Sequence, residues 1–162
     1  MHHVVVMGVS GCGKSTVGQF LSARLGLPFV EGDGLHPPDN VRKMAAGTPL
    51  TDEDRAGWLD AIAARLVAAP GGAVVSCSAL KRRYRERLCA DVPALRFVHL
   101  HGPRELLAQR LAGRRGQYMP SSLLDSQLHT LEPPGPDERA IALSIDQPPE
   151  TLAALAAAAL QA

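Results

Sequence analysis

An α/β sandwich, with helices on both faces of a central parallel sheet of five strands, is the fold class this sequence predicts, and two observations carry the prediction. Short apolar runs alternate with helical patterns along all 162 residues, the mark of parallel strands joined by crossover helices. The first such run, His3–Met7, leads directly into Gly8-Val9-Ser10-Gly11-Cys12-Gly13-Lys14-Ser15, which fits G-x-x-x-x-G-K-[ST]. Glycines at those positions let the backbone curl so that successive N–H groups point inward at phosphate oxygens. Lys14 then reaches the outer phosphates, and the Ser15 hydroxyl is placed to hold Mg²⁺. The helix that follows adds the positive end of its dipole. The sandwich is therefore expected to be of the P-loop NTPase type, with three layers.

The remaining elements follow in order. Val17, Phe20, Leu21 and Leu25 fall on one face of the helix after the loop, and Gly26 stops it. Further strands are predicted near Leu27–Glu31, Ala73–Cys77, Arg96–His101 and Ile141–Ile145. About forty residues separate the second strand from the third, too many for a plain crossover, so approximately 34–70 is read as a helical substrate-binding insertion. Within it Asp39–Ala46 forms one helix, ended at Gly47-Thr48-Pro49. Thr51 and Asp54 form a capping box for a second, whose buried stripe is Trp58, Leu59, Ile62 and Leu66. After the third strand, Ser78-Ala79-Leu80-Lys81 opens a helix with Leu80, Tyr84 and Leu88 buried. The helix Arg104–Ala112 leads through Gly113-Arg114-Arg115-Gly116 to a helical stretch Pro120–Leu131 and then to Glu132-Pro133-Pro134-Gly135-Pro136. Glycine and proline at both ends suggest a hinged lid over approximately 113–136. The alanine-rich helix Glu150–Leu160 closes the chain and serves packing.

A length of 162 residues with 46% hydrophobic content is that of one domain, 1–162, able to bury a sizeable core. A net charge of +1 implies neither nucleic acid nor an anionic membrane as partner, so any recognition of anions is local. Cys12, Cys77 and Cys89 show no zinc spacing and suit a reducing compartment. No signal sequence is read at the N-terminus, and no apolar run approaches the ~20 residues that span a bilayer, so a cytoplasmic protein is expected.

Phosphoryl transfer asks for a phosphate cradle, a metal ion, cations around the moving group, and a residue to orient or deprotonate the attacking hydroxyl. Asp33 is the candidate for the last role, because Glu31-Gly32-Asp33-Gly34 sits just past the second strand, on the carboxyl edge that also carries the loop. It acts either as base or by holding a water on Mg²⁺. Lys81 falls in the first turn of its helix, where the dipole disfavours a cation, and such a conflict points to an anionic ligand. The neighbouring Arg82, Arg83, Arg85 and Arg87 read as a solvated helix face. Arg110, Arg114 and Arg115, at the lid's first hinge, are candidates to fold over nucleotide phosphates. His99 and His101 share a strand face, but with no third ligand in view they read as structural. His36, beside Asp33, is placed in the substrate pocket.

These residues resemble the gluconate kinases of the thermoresistant type, relatives of shikimate and adenylate kinases. Beyond the phosphate loop, Gly32-Asp33-Gly34-Leu35-His36-Pro37, Asn40-Val41-Arg42-Lys43-Met44, Gly47-Thr48-Pro49-Leu50 and Asp52-Glu53-Asp54-Arg55-Ala56-Gly57-Trp58-Leu59 are similar to that family's signature block. Cys77-Ser78-Ala79-Leu80-Lys81-Arg82-Arg83-Tyr84-Arg85 is similar to its second block, and Leu123-Leu124-Asp125-Ser126-Gln127 with Thr130-Leu131-Glu132-Pro133 to a third. The resemblance implies ATP-dependent phosphorylation of D-gluconate to 6-phosphogluconate by a homodimer. Carried across by position, Gly8, Val9, Ser10, Gly11, Cys12, Gly13, Lys14, Ser15 and Thr16 bind ATP, and Asp33 takes the sugar-acid hydroxyl. His36, Lys43, Arg55 and Lys81 become candidates for the polyol and its carboxylate, Arg110 and Arg114 for the nucleotide, and Asp146, Gln147 and Pro148 for the neighbourhood of the adenine. The chain departs from the pattern at Gly57, where a proline is usual, and at Gln117 and Tyr118, which replace a His-Phe pair. Shikimate or another small hydroxy acid is the rival substrate. A nucleotide-controlled switch is the rival class, because Asp54-Arg55-Ala56-Gly57 matches D-x-x-G. It lies at a predicted helix start, however, and the chain has no N-K-x-D motif.

Overall fold

Val4, Val5, Val6 and Met7 are all completely buried, and a strand apolar on both faces has to be covered on both. In the computed structural model, which describes residues 2–113 and 121–162, that strand, β1 (His2–Met7), is the middle of a five-stranded sheet of order β2-β3-β1-β4-β5. Its neighbours are β3 (Gly72–Ser76) and β4 (Arg96–His101), with β2 (Phe29–Glu31) and β5 (Ile141–Ser144) at the edges, and every pairing is parallel.

One face of the sheet carries α1 (Lys14–Leu25), α5 (Arg104–Ala112), α6 (Ser121–Thr130) and α7 (Pro149–Gln161), packed around Val4, Val6, Val98 and Leu100. The other carries α3 (Asp52–Val67) and α4 (Arg82–Asp91), packed around Val5, Met7, Val75 and Phe97. The short α2 (Pro38–Ala45) precedes α3. The three layers are thus those expected. In a parallel sheet all the strand ends that carry loops to a ligand lie on one edge. The loop after β1, the turn after β2 and the loop after β3 therefore share an edge.

Two readings around α1 need correction. Leu27 belongs to the capping turn after α1 rather than to β2, because its N–H bonds the Ser22 carbonyl at 2.9 Å after Gly26 turns left-handed at φ 67°. Phe20 is 38% exposed, because the buried face of α1 runs through Val17, Gly18, Leu21 and Ser22. The ring of Phe29 lies against Gly18, where a Cβ would sit 2.6 Å from it.

The basic cluster on α4 is no simple solvated face. Arg82, Arg83 and Arg87 pair with Asp137, Asp52 and Asp60. Arg85 is only 1% exposed. Its guanidinium donates to Glu138 at 2.6 Å, to the carbonyls of Ala79 and Leu80 at 2.8 and 3.3 Å, and to the carbonyl of Glu132 at 2.8 Å. A buried guanidinium is tolerated when its donors are satisfied in this way.

Candidate active site

The loop after β1 is shaped by contacts that leave no room for a side chain at Gly8 or Gly11. A Cβ on Gly8 would lie 2.6 Å from the Leu100 carbonyl oxygen. Gly13, left-handed at φ 89°, opens α1, so Lys14, Ser15 and Thr16 form its first turn. That turn contains no acidic side chain, and its free N–H groups and dipole are left for an anion. The Lys14 ammonium donates to the Val9 carbonyl at 3.2 Å, and the Ser10 N–H donates to the Gln127 side-chain oxygen at 2.7 Å.

Across the edge, Glu31 ends β2 with its carboxylate bridging two hydroxyls. Ser15 Oγ and Ser76 Oγ donate to its two oxygens, each at 2.5 Å. Ser76 Oγ in turn accepts from the Gly32 N–H at 3.3 Å. Gly32 has no alternative here, since a Cβ would stand 2.0 Å from the Ser76 carbonyl oxygen. The indole N–H of Trp58 holds the same turn by donating to the Gly32 carbonyl at 2.8 Å. Asp33 follows within the 3₁₀ turn Gly32–Leu35, its side chain exposed at the edge. The Cys77 thiol reports where Asp33 and Lys14 lie. Burial pushes it up to about 12, and beyond a backbone hydrogen bond at Ala79 it feels Asp33, which raises it, and Lys14, which lowers it. The acid and the lysine therefore both lie near enough to act on the same buried side chain.

His36 stacks on Trp58 with ring centroids 4.4 Å apart and interplanar angle 13°. Burial lowers its pKa, opposed by Asp33 and aided by Arg55, so the imidazole is neutral at pH 7 and sits in the field of both. Asn40, buried, joins the insertion's two helices by donating to His36 Nδ1 at 3.2 Å and to the Asp54 carbonyl at 2.9 Å.

The three cations expected on the acceptor side are all held in place by neighbours. Lys43 pairs with Asp54 at 2.8 Å, the same aspartate that closes the capping box with Thr51. Arg55 donates to the Leu50 carbonyl at 3.0 Å and to the Tyr84 hydroxyl at 3.2 Å. Lys81 donates to Asp52 at 3.1 Å, and Tyr84 donates to the same carboxylate at 2.5 Å. Those bonds, Tyr84 first and Lys81 second, hold Asp52 below the usual carboxylate range. Lys81 caps α4 in an extended conformation instead of lying in its first turn, so the expected clash with the dipole is absent. Of the residues expected near the nucleotide, Arg110 donates to the Ile145 carbonyl, which brings it beside the exposed Asp146, Gln147 and Pro148. Arg114, Arg115, Gln117 and Tyr118 lie outside the described residues.

Sequence reasoning gave no site role to Glu31, Ser76, Tyr84, Asp52 and Gln127. Glu31 was within reach of it, as a carboxylate two residues from Asp33 at the same strand end. Gln127 stood in a block similar to the family's, but nothing in the sequence pointed to its partner, which is 117 residues away. Ser15 and Glu31 offer hard oxygen ligands, which suits Mg²⁺, an ion that uses one or two protein oxygens and takes the rest from water and substrate phosphates. Among the described residues no group of three or more His, Cys, Asp or Glu side chains gathers, so a dedicated all-protein metal cage is not what this edge provides.

A family model described as an AAA domain matches residues 4–134. The gluconokinase of Gluconobacter oxydans is 53% identical over 92% of this chain and 85% of its own length. The chain belongs to the gluconokinase family. The thermoresistant gluconokinase of Escherichia coli is 40% identical over 94% of this chain and 90% of its own. The crystal structure of a gluconokinase from Sinorhizobium meliloti superposes with a TM-score of 0.91 at 52% identity, covering 99% of this chain and 91% of that one. In this gluconokinase-family chain, the phosphate loop, the Asp33 turn and the cations of α2, α3 and α4 open on one edge of the sheet.

Proposed function

We propose that the protein phosphorylates D-gluconate with ATP, yielding 6-phospho-D-gluconate. The observation that carries the reading is that Lys14, in the first turn after the phosphate loop, and Asp33, on the turn after β2, follow strands whose carboxyl ends share one edge of the parallel sheet, and both act on the buried Cys77. The identity to gluconokinases over nearly the whole chain supports gluconate over shikimate as the acceptor.

The loop's N–H groups and the first turn of α1 bind the nucleotide phosphates, and Lys14 neutralises charge on the outer ones. Arg110 and the Asp146–Gln147–Pro148 turn border the nucleoside, with Arg114 assigned there by resemblance. Asp33 accepts or orients the proton of the attacking terminal hydroxyl, so that the oxygen attacks in line with the leaving β-phosphate oxygen. Lys81, Arg55, Lys43 and His36 face the polyol and its carboxylate, and Asp52 for Lys81, Asp54 for Lys43 and the Leu50 carbonyl for Arg55 keep the long side chains placed before substrate arrives. Ser15 and Glu31 would hold Mg²⁺, which would neutralise negative charge on the nucleotide phosphates. A cytoplasmic homodimer is the setting the resemblance supports. No helix among the described residues is long and apolar enough to cross a membrane.

Measuring ATP consumption with gluconate, shikimate, glycerate and nucleoside monophosphates tests the assignment. Fastest turnover on gluconate is expected, and faster turnover on any other acceptor overturns it. GTP hydrolysis without stimulation by an acid would instead mark a nucleotide switch. That reading is weakened by the position of Asp54–Gly57 inside α3, away from any strand end.

A further inference from the structure

One peptide group of the phosphate loop is gripped from both sides. The Val9 carbonyl accepts from the Lys14 ammonium at 3.2 Å and from the Cys12 N–H at 3.3 Å. The N–H of the same peptide, on Ser10, donates to Gln127 Oε1 at 2.7 Å. In a trans peptide the C=O and N–H point in opposite directions on a rigid plane. Whatever holds the N–H therefore aims the carbonyl, and the carbonyl is where Lys14 rests.

The helix that carries Gln127 is itself a fixed post. Leu124 is completely buried among Leu107 and Leu111 of α5, and Asp125 pairs with Arg104 at 2.5 Å. Just past the helix, the Glu132 N–H donates to the Leu80 carbonyl at 2.8 Å, and its carboxylate accepts the Arg82 N–H at 2.8 Å. The buried Arg85 grips the Glu132 carbonyl at 2.8 Å. Leu80 lies two residues beyond Ser78, whose carbonyl accepts from the Gly8 N–H at 3.3 Å. A continuous set of hydrogen bonds and short chain segments thus runs from Ser10 through Gln127, Glu132 and Leu80 back to Gly8.

We propose that Gln127 is a positioning residue for phosphoryl transfer, acting on Lys14 through the Val9–Ser10 peptide. A carboxamide suits the task, because it accepts the N–H strongly while adding no negative charge beside the phosphates. With the acceptor removed, the peptide loses the bond that fixes its plane, and the lysine's resting carbonyl is no longer aimed. The inference rests on Lys14 as the cation of the phosphate site. Lys14→Ala serves as the control, since turnover surviving in that variant would remove the reading beneath it.

Gln127→Met keeps the length of the side chain and removes the acceptor. Its kcat is expected to fall about tenfold, equivalent to ~1.4 kcal/mol of transition-state stabilisation, with the KM for gluconate within about twofold of the parent. In ¹H–¹⁵N spectra of the nucleotide-free protein, the Ser10 amide proton should move upfield. Gln127→Glu retains an acceptor oxygen and should restore that shift. Gln127→Ala replaces the methionine variant should the latter fail to fold. A kcat within twofold of the parent overturns the proposal, as does a gluconate KM that rises as far as kcat falls. So does a lowered kcat with the Ser10 amide unmoved, or a glutamate variant that leaves the shift unrestored.

Discussion

The indole N–H of Trp58, in the middle of the insertion's long helix, donates to the carbonyl of Gly32 at 2.8 Å, and so ties α3 to the turn that carries Asp33. The same indole forms the floor under His36. Trp58→Phe keeps an apolar ring there but strands a buried carbonyl, which typically costs ~1–3 kcal/mol. The variant should unfold at lower denaturant and lose kcat several-fold as the turn loosens. Parent kinetics in a destabilised variant would show that Asp33 is placed without Trp58.

Asp33→Asn preserves the shape of the side chain and removes its ability to take a proton. The expected fall in kcat is about 10²–10⁴, the range for a lost acid–base group, with stability unchanged because the side chain is exposed. Steady-state kinetics with gluconate saturating reads it directly. A near-normal kcat would leave Asp33 a bystander.

Glu31→Gln retains one hydrogen-bond acceptor and abolishes the charge that Ser15 and Ser76 share. The Mg²⁺ concentration for half-maximal activity is expected to rise by roughly 10–100-fold, the usual consequence of weakening a metal site's supporting groups. The KM for gluconate should change little. An unaltered Mg²⁺ titration would restrict Glu31 to tying β2 to β3.

Burial, with smaller contributions from His101 and Arg85, lowers the pKa of His99 from 6.5 to about 4. The unfolded chain therefore takes up a proton at a higher pH than the folded one does. Between about pH 6.5 and pH 4 the unfolded state binds more protons, so stability falls as pH falls through that window. The contribution is complete above 6.5. His99→Gln should flatten this part of the stability curve, measured as denaturant midpoint against pH, while leaving the fall at lower pH that comes from the paired carboxylates. A slope identical to the parent's would assign the effect elsewhere.

Much of the site was legible because its parts are local in the chain. The phosphate loop is a run of eight residues whose glycines and lysine have one joint use, and the Thr51–Asp54 capping box needs only four consecutive positions. Asp33 was readable because a parallel sheet sends every strand's carboxyl end to the same edge. What escaped depends on distant pairing. Arg85 reads as one more surface arginine until Glu138 and Glu132 close over it from 53 and 47 residues away. Lys81 reads as a cation in conflict with a helix dipole until the helix is seen to begin one residue later, with Asp52 across from it.

Residue order alone determined the fold class and the phosphate-loop pattern, and placed Asp33 at the end of the second strand, because periodicity and glycine spacing act between near neighbours. Which cations are already paired, which arginine is buried, and which side chain reaches back to grip Ser10 were decided only when the chain closed on itself. Such contacts join residues whose separation in sequence carries no pattern, and only packing selects them.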